Sequence, residues 1–184
     1  DDHDPLLPGA LAKVLKALED GAVFVYGDCE CFGFDAKGEM RKKEFRKEDY
    51  HPGLFREQGG QGVGLRAYRK ALYTASGGYD PGEWPGGDYA LHLRMELAAG
   101  DKGFVRIPEL LSMVRMAGDG ISIKWLTEQS VMAERYRNEA LKLAAEVGEP
   151  LKPEGKLRAL FLCDYWDAAY GGGQTSLWKI REAF

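Results

Sequence analysis

The run Ala22–Tyr26 reads AVFVY, holds no charged side chain, and is framed by Gly21 and Gly27. Branched and aromatic residues in so short a stretch read as a strand buried inside a protein. Just upstream, Leu11, Val14, Leu15 and Leu18 recur at the spacing of one helix face. Pro8 suits the first turn of that helix and Gly21 its C-terminal cap. An amphipathic helix handing over to a buried strand is the start of an α/β chain.

The remainder follows the same alternation. Asp35 to Gly38 reads as a turn, and Met40–Gln61 has weak periodicity and reads as an irregular excursion. "GVGLRAYRKALYTASGGYD" predicts a short strand, a helix near Arg69–Ala75 and a Gly-Gly stop. "PGEWPGG" is a turn-rich loop leading into a helix with Asp88 at its N-cap and Gly100 just past its end. Phe104–Ile107 and Leu111–Met116 read as strands, and about Ser122 to Val147 as a long amphipathic helix. A linker follows at residues 148–156. Residues 157–184 then supply an apolar strand, a glycine-rich loop and a helix. The fold expected is α/β, a mixed sheet flanked by helices, with one domain over residues 1–147. The last segment either packs back on that domain or begins a second one.

Composition removes several classes of function. A 45% hydrophobic content makes a sizeable core available and wholesale disorder untenable. Twenty-five basic against 29 acidic residues, a formal charge of −4, argues against a dominant nucleic-acid surface. The one basic run, "KGEMRKKEFRKEDY", is interrupted by four acids and reads as a solvated face or mobile loop. Three cysteines, Cys29, Cys31 and Cys163, favour reduced thiols in a cytoplasmic compartment over a disulfide framework. No apolar run is long enough to span a bilayer.

Two places carry chemistry. Asp1, Asp2, His3 and Asp4 crowd like charges together, which costs free energy unless a cation or a helix start offsets it. One cap needs one aspartate, so the cluster also reads as a site for Mg²⁺ or Mn²⁺. Asp88, behind a glycine-rich loop with Tyr79 and Trp84, reads either as an N-cap or as a general base taking a proton from an alcohol. Trp84 suits stacking on a sugar ring, or a lid over the core. His51 and His92 read as surface or packing residues.

Four stretches, "DDHDPLLPGALAKVLKALEDGAVFVYGD", "GLRAYRKALYTASGGYD", "GGDYALHLRM" and "IPELLSMVRMAGDGIS", come in the order and at roughly the spacing of family 2 glycosyltransferases. The chain resembles that family over about residues 1–125. The resemblance implies the GT-A fold and an inverting transfer of a sugar from a nucleotide diphosphate, a UDP-sugar for preference. The acceptor would be a hydroxyl on a glycan, a lipid-linked glycan or a small molecule, which leaves room for peripheral membrane association. A divalent metal, Mn²⁺ or Mg²⁺, would offset charge on the departing diphosphate. Its ligands would be Asp2 and Asp4, which supply two hard oxygens; the register Asp1-Asp2-His3 would make His3 a ligand instead. Asp88 matches the family's base, Trp84, Tyr79 and Gly87 would line the acceptor side, and Arg94 would support the helix.

The pattern also departs from the family. Gly87 stands where an acid or glutamine usually precedes the base, and no histidine follows Arg115. The nucleotide-binding half expected ahead of the Asp-rich motif does not precede it in this sequence, which predicts either a piece of a longer protein, the preferred reading, or a protein that has lost nucleotide binding. The tail resembles the opening strand and glycine-rich loop of GT-B glycosyltransferases, which would make the parent a tandem enzyme. Two other functions stay open: a non-catalytic binding or assembly module of the same fold, and a metal-dependent nucleotidyltransferase.

Overall fold

The computed structural model describes residues 5–34, 36–58, 64–83, 86–115, 126–144 and 159–162. The Asp-rich cluster, Trp84, Cys163, the linker and the glycine-rich tail therefore lie outside the described residues.

Helix α1, Ala10–Glu19, buries Ala10, Val14 and Leu18, one residue per turn. Its start differs from expectation: Gly9, left-handed at φ 78°, is the N-cap, with Pro8 ahead of it. At its end the Gly21 N–H donates to the Leu18 carbonyl and the Ala22 N–H to that of Ala17, closing a Schellman motif around Gly21 at φ 110°. Arg69 also donates to the carbonyls of Leu18 and Ala22, setting a cation at the helix C-terminus.

Strand β1, Phe24–Phe34, is the centre of a five-stranded open sheet. Along one side it pairs parallel with β4, Phe104–Arg115. Its other side is shared: β3, Arg66–Arg69, pairs antiparallel with Phe24–Tyr26, and β2, Met40–Phe45, antiparallel with Cys29–Phe34. Strand β5, Ala159–Leu162, adds to β3 antiparallel. The sheet is thus mixed, three antiparallel pairings and one parallel.

Two expectations need correction here. Met40–Gln61 is not an irregular excursion throughout: its first residues, within the basic run, form β2, the exposed outer arm of a hairpin and a solvated face as expected of that run, followed after a loop by the short helix α2, Leu54–Gln58. All six β2 residues are exposed, and its charges meet neighbours such as Glu30, 2.7 Å from Lys42. A charged edge strand resists pairing with other chains. The two strands expected around Pro108 are one. Between Ile107 and Leu110 the ladder slips against Gly27 and Asp28, so Pro108, which has no N–H to give, falls at the irregularity.

Helices cover both faces. Against one, α1 packs on Val25, Ala67 and Leu111. Against the other lie α3, Lys70–Ala75, and α4, Gly87–Ala99, over an aromatic layer of Phe24, Tyr26, Phe55, Tyr68 and Phe104. Helix α5, Leu126–Ala144, closes over α4 through Tyr136 and Ala140. Sandwiched this way, α4 is buried nearly all round, which is why its sequence shows no one-sided apolar stripe.

Gly27 marks the tightest approach of β1 to β4: a Cβ there would lie 2.2 Å from Leu111 Cδ1 and 3.3 Å from the Ile107 carbonyl oxygen. Gly27→Ala is expected to cost about 1–3 kcal/mol through overpacking. Urea unfolding of the variant checks it; an unchanged midpoint would mean that β4 yields freely there.

Candidate functional site

Helix α4 turns a polar stripe, Asp88, His92 and Glu96, toward the sheet, since residues four apart share a helix face. Each meets a different environment. Glu96, fully buried, accepts from the Tyr50 hydroxyl at 3.0 Å and the Phe55 N–H at 3.2 Å, with Arg56 3.4 Å away. Burial outweighs those partners and raises its pKa. His92 sits edge-on to Phe24, ring centroids 5.3 Å apart, and its Nε2 is buried without a hydrogen bond. Burial first, then the charges of Arg66 and Lys47, hold it neutral, well below the usual histidine value. It is a packing residue, as its sequence context suggests. His51 is exposed on the surface.

Asp88 is the exposed end of the stripe, its side chain 47% accessible. It is not the N-cap expected from sequence. Gly86, left-handed at φ 99°, takes that place with no side-chain cap bond, and Asp88 follows in the first turn. Its carboxylate still gains from the positive helix end, yet is not consumed in capping. Instead Oδ2 lies 3.6 Å from Nη1 of Arg66, whose side chain is 4% exposed.

Tyr79 joins Asp88 through Gly87. A Cβ on Gly87 would come within 3.1 Å of the Tyr79 ring, so glycine lets the helix start lie flat against the phenol. Partial burial, then the Asp88 charge, push the Tyr79 hydroxyl up to about 12. Arg94 fixes the loop carrying Tyr79. Its Nε and Nη2 donate to the carbonyls of Ser76 and Gly78 at 2.9 and 2.7 Å, and Nη1 pairs with Glu83. It supports the loop as much as the helix. The structure thus brings Tyr79, Gly87 and Asp88 together; Asp2, His3, Asp4 and Trp84 lie outside the described residues.

A second polar centre was missed by sequence reasoning. Asp28, with no exposed surface, takes Arg106 Nε and Nη2 in a two-bonded fork at 3.0 and 2.8 Å, Arg46 Nη1 at 3.1 Å and the Lys47 N–H at 3.0 Å. Burial alone would raise its pKa, but these donors, Arg106 foremost, outweigh it and hold the carboxyl below the ordinary carboxylate range. Tyr26 adds a hydrogen bond from its hydroxyl to the Glu48 carbonyl at 2.8 Å. Together they pin Arg46–Glu48 over β1 and direct the Lys47 side chain inward, its Nζ 5.8 Å from the Tyr26 ring centroid. The one available signal was an aspartate ending a buried apolar run.

Among the described residues no three His, Cys, Asp or Glu side chains are grouped to hold a metal, and no helix is long and apolar enough to cross a membrane. Cys29, which is buried, and Cys31 are thiols. No protein-family model matches the chain, and no curated protein matches it at a significant level.

Proposed function

We propose that the chain acts as an inverting, GT-A-like glycosyltransferase, moving a sugar from a nucleotide diphosphate to an acceptor hydroxyl. The observation that carries this reading is the state of Asp88. It is a carboxylate at a helix start, free of capping duty, half exposed, and oriented by a buried guanidinium 3.6 Å away. A general base needs that combination: open to the incoming hydroxyl, yet held in place from behind.

In the proposed reaction the acceptor hydroxyl donates a hydrogen bond to Asp88. Its oxygen attacks the anomeric carbon, its proton passes to the Asp88 carboxylate, and the bond from that carbon to the diphosphate breaks. The nucleoside diphosphate leaves with the electron pair, and the new bond has inverted configuration. Solvent then takes the proton from the half-exposed carboxyl. Tyr79 and Gly87 border the acceptor.

Asp2 and Asp4, or Asp1, Asp2 and His3 in the other register, would hold a divalent cation, which would supply positive charge to steady the leaving diphosphate. The described residues offer no other group of side chains for it.

The test is release of UDP from UDP-sugars by the full chain with Mn²⁺, with and without simple sugar acceptors. Acceptor-dependent release that Asp88→Asn abolishes is the expected result. Release that the variant retains removes Asp88 as base. Pyrophosphate release from a nucleoside triphosphate instead would assign nucleotidyl transfer, and no turnover or UDP binding at all would leave a binding module.

A further inference from the structure

Lys47 is a charged residue in the wrong place for a basic surface run. Only 4% of it is exposed, and its Nζ is buried without a hydrogen-bond partner. Asp28, a carboxylate whose charge acts on it, is occupied by Arg106 and Arg46, and takes only the backbone N–H of Lys47. The face of the Tyr26 ring gives a weak cation–π contact at 5.8 Å. An ammonium buried with no anion bonded to it is among the most unfavourable arrangements a protein interior can hold.

A second buried cation stands on the same side of the sheet. Arg66 is the register partner of Tyr26, so both side chains project from the face that α4 covers. Arg66 reaches Asp88, the half-exposed member of the polar stripe, and is close enough to Lys47 for its charge to act there. His92, also turned to this face, is neutral and offers no compensating charge.

We propose that Lys47 and Arg66 form a subsite for an anionic group, a phosphate or a carboxylate, carried by the acceptor and lying beneath Asp88. The anion subsite rests on the buried charges alone; its assignment to the acceptor rests on the glycosyltransferase reading. An acceptor bound this way is anchored by its acidic group while its hydroxyl faces the Asp88 carboxylate. Burial first, then the charge of Arg66, push the Lys47 ammonium down to about 7, against the opposing pull of Cys29, Asp28 and Cys31. An arriving anion restores the proton, so binding is coupled to proton uptake near and above neutral pH.

The experiment uses the full chain without donor or metal. Inorganic phosphate and, in a separate arm, acetate are titrated against the melting temperature of the wild type and Lys47→Met. The two arms separate a phosphate subsite from a carboxylate one. At a tenfold excess over its Kd, the preferred anion is expected to raise the wild-type Tm by about 3–6 °C and to leave Lys47→Met unmoved. Lys47→Met by itself is expected to melt higher than the wild type in anion-free buffer.

Should Lys47→Met fail to fold, calorimetry of the wild type at pH 8 in two buffers of different ionisation enthalpy takes its place. Proton uptake on phosphate or acetate binding supports the subsite; binding without uptake overturns it. An equal response of wild type and variant, or no response of the wild type to either anion, also overturns it. Because no sugar donor is present, these outcomes are independent of the Asp88 assay, and either reading can fail alone.

Discussion

Asp88→Asn is expected to lower kcat for sugar transfer by about 10²–10⁴-fold, the range that a positioned base contributes. Asparagine keeps the shape and a hydrogen-bonding oxygen but cannot take the hydroxyl proton. The KM for the nucleotide sugar should change little, because the described surroundings of Asp88 lie on the acceptor side by this reading. The substitution also strips Arg66 of the carboxylate 3.6 Å away, so thermal stability must be measured beside the rate. A variant that is folded and still turns over within tenfold of the wild type removes the base, and with it the mechanism. Arg94→Met makes a useful comparison. It loosens the Ser76–Gly78 turn that carries Tyr79 and should affect acceptor KM as well as kcat.

Asp28→Ala is expected to destabilise the fold by about 3–5 kcal/mol, the usual cost of removing one partner from a buried ion pair. Its carboxylate has no exposed surface and answers Arg106, whose side chain is 13% exposed, as well as Arg46 and the Lys47 N–H. Deleting it leaves the Arg106 guanidinium covered and releases the segment that directs Lys47 inward. Asp28→Leu combined with Arg106→Met should recover part of the loss, since the covered pair leaves no charge behind and the remaining partners, Arg46 and Asp49, are solvent-exposed. Denaturant unfolding of the single and double variants measures both; a loss below about 1 kcal/mol for Asp28→Ala would show that the latch carries little.

The same centre sets the acid limb of stability. The folded pKa of Asp28 is depressed, so its contribution is complete above the unfolded value of about 3.9 and is lost as pH falls through the folded value. Glu96 has the opposite sign. Its folded pKa is raised by burial, so its contribution is complete below the unfolded value of about 4.3 and disappears as pH rises through the folded one. The stability gap between wild type and Asp28→Asn should therefore narrow as the pH drops below about 4. Glu96→Gln should gain on the wild type as the pH rises through the raised Glu96 value.

Several elements of the fold were legible because their signals are local. The four-residue recurrence of α1 and its Gly21 stop, the strand–helix–Gly-Gly order of Arg66–Gly78, and Gly100 at the end of α4 all rest on residues within a few positions of each other. What was misread depended on partners far along the chain. Phe104–Ile107 and Leu111–Met116 looked like two strands because no local pattern announces the slip against Gly27 and Asp28 on a strand about eighty residues earlier. The β2 segment looked irregular because its register is supplied by β1, not by its own alternation. Asp88 looked like a cap because aspartate favours that position; the left-handed Gly86 had taken it.

The chemistry divides the same way. Sequence alone placed a carboxylate at the start of α4 behind a glycine-rich loop, together with an α/β order and a buried strand over Ala22–Tyr26, since periodicity and turn residues act over one or two helical turns. Tertiary structure alone decided that Arg66 stands behind Asp88, that Arg106 clamps Asp28 from 78 residues away, and that Lys47 points inward from a basic run. A charge carries no mark in the sequence of whether water or another charge will surround it. That is settled only when the sheet brings distant residues within hydrogen-bond reach and the helices above exclude solvent.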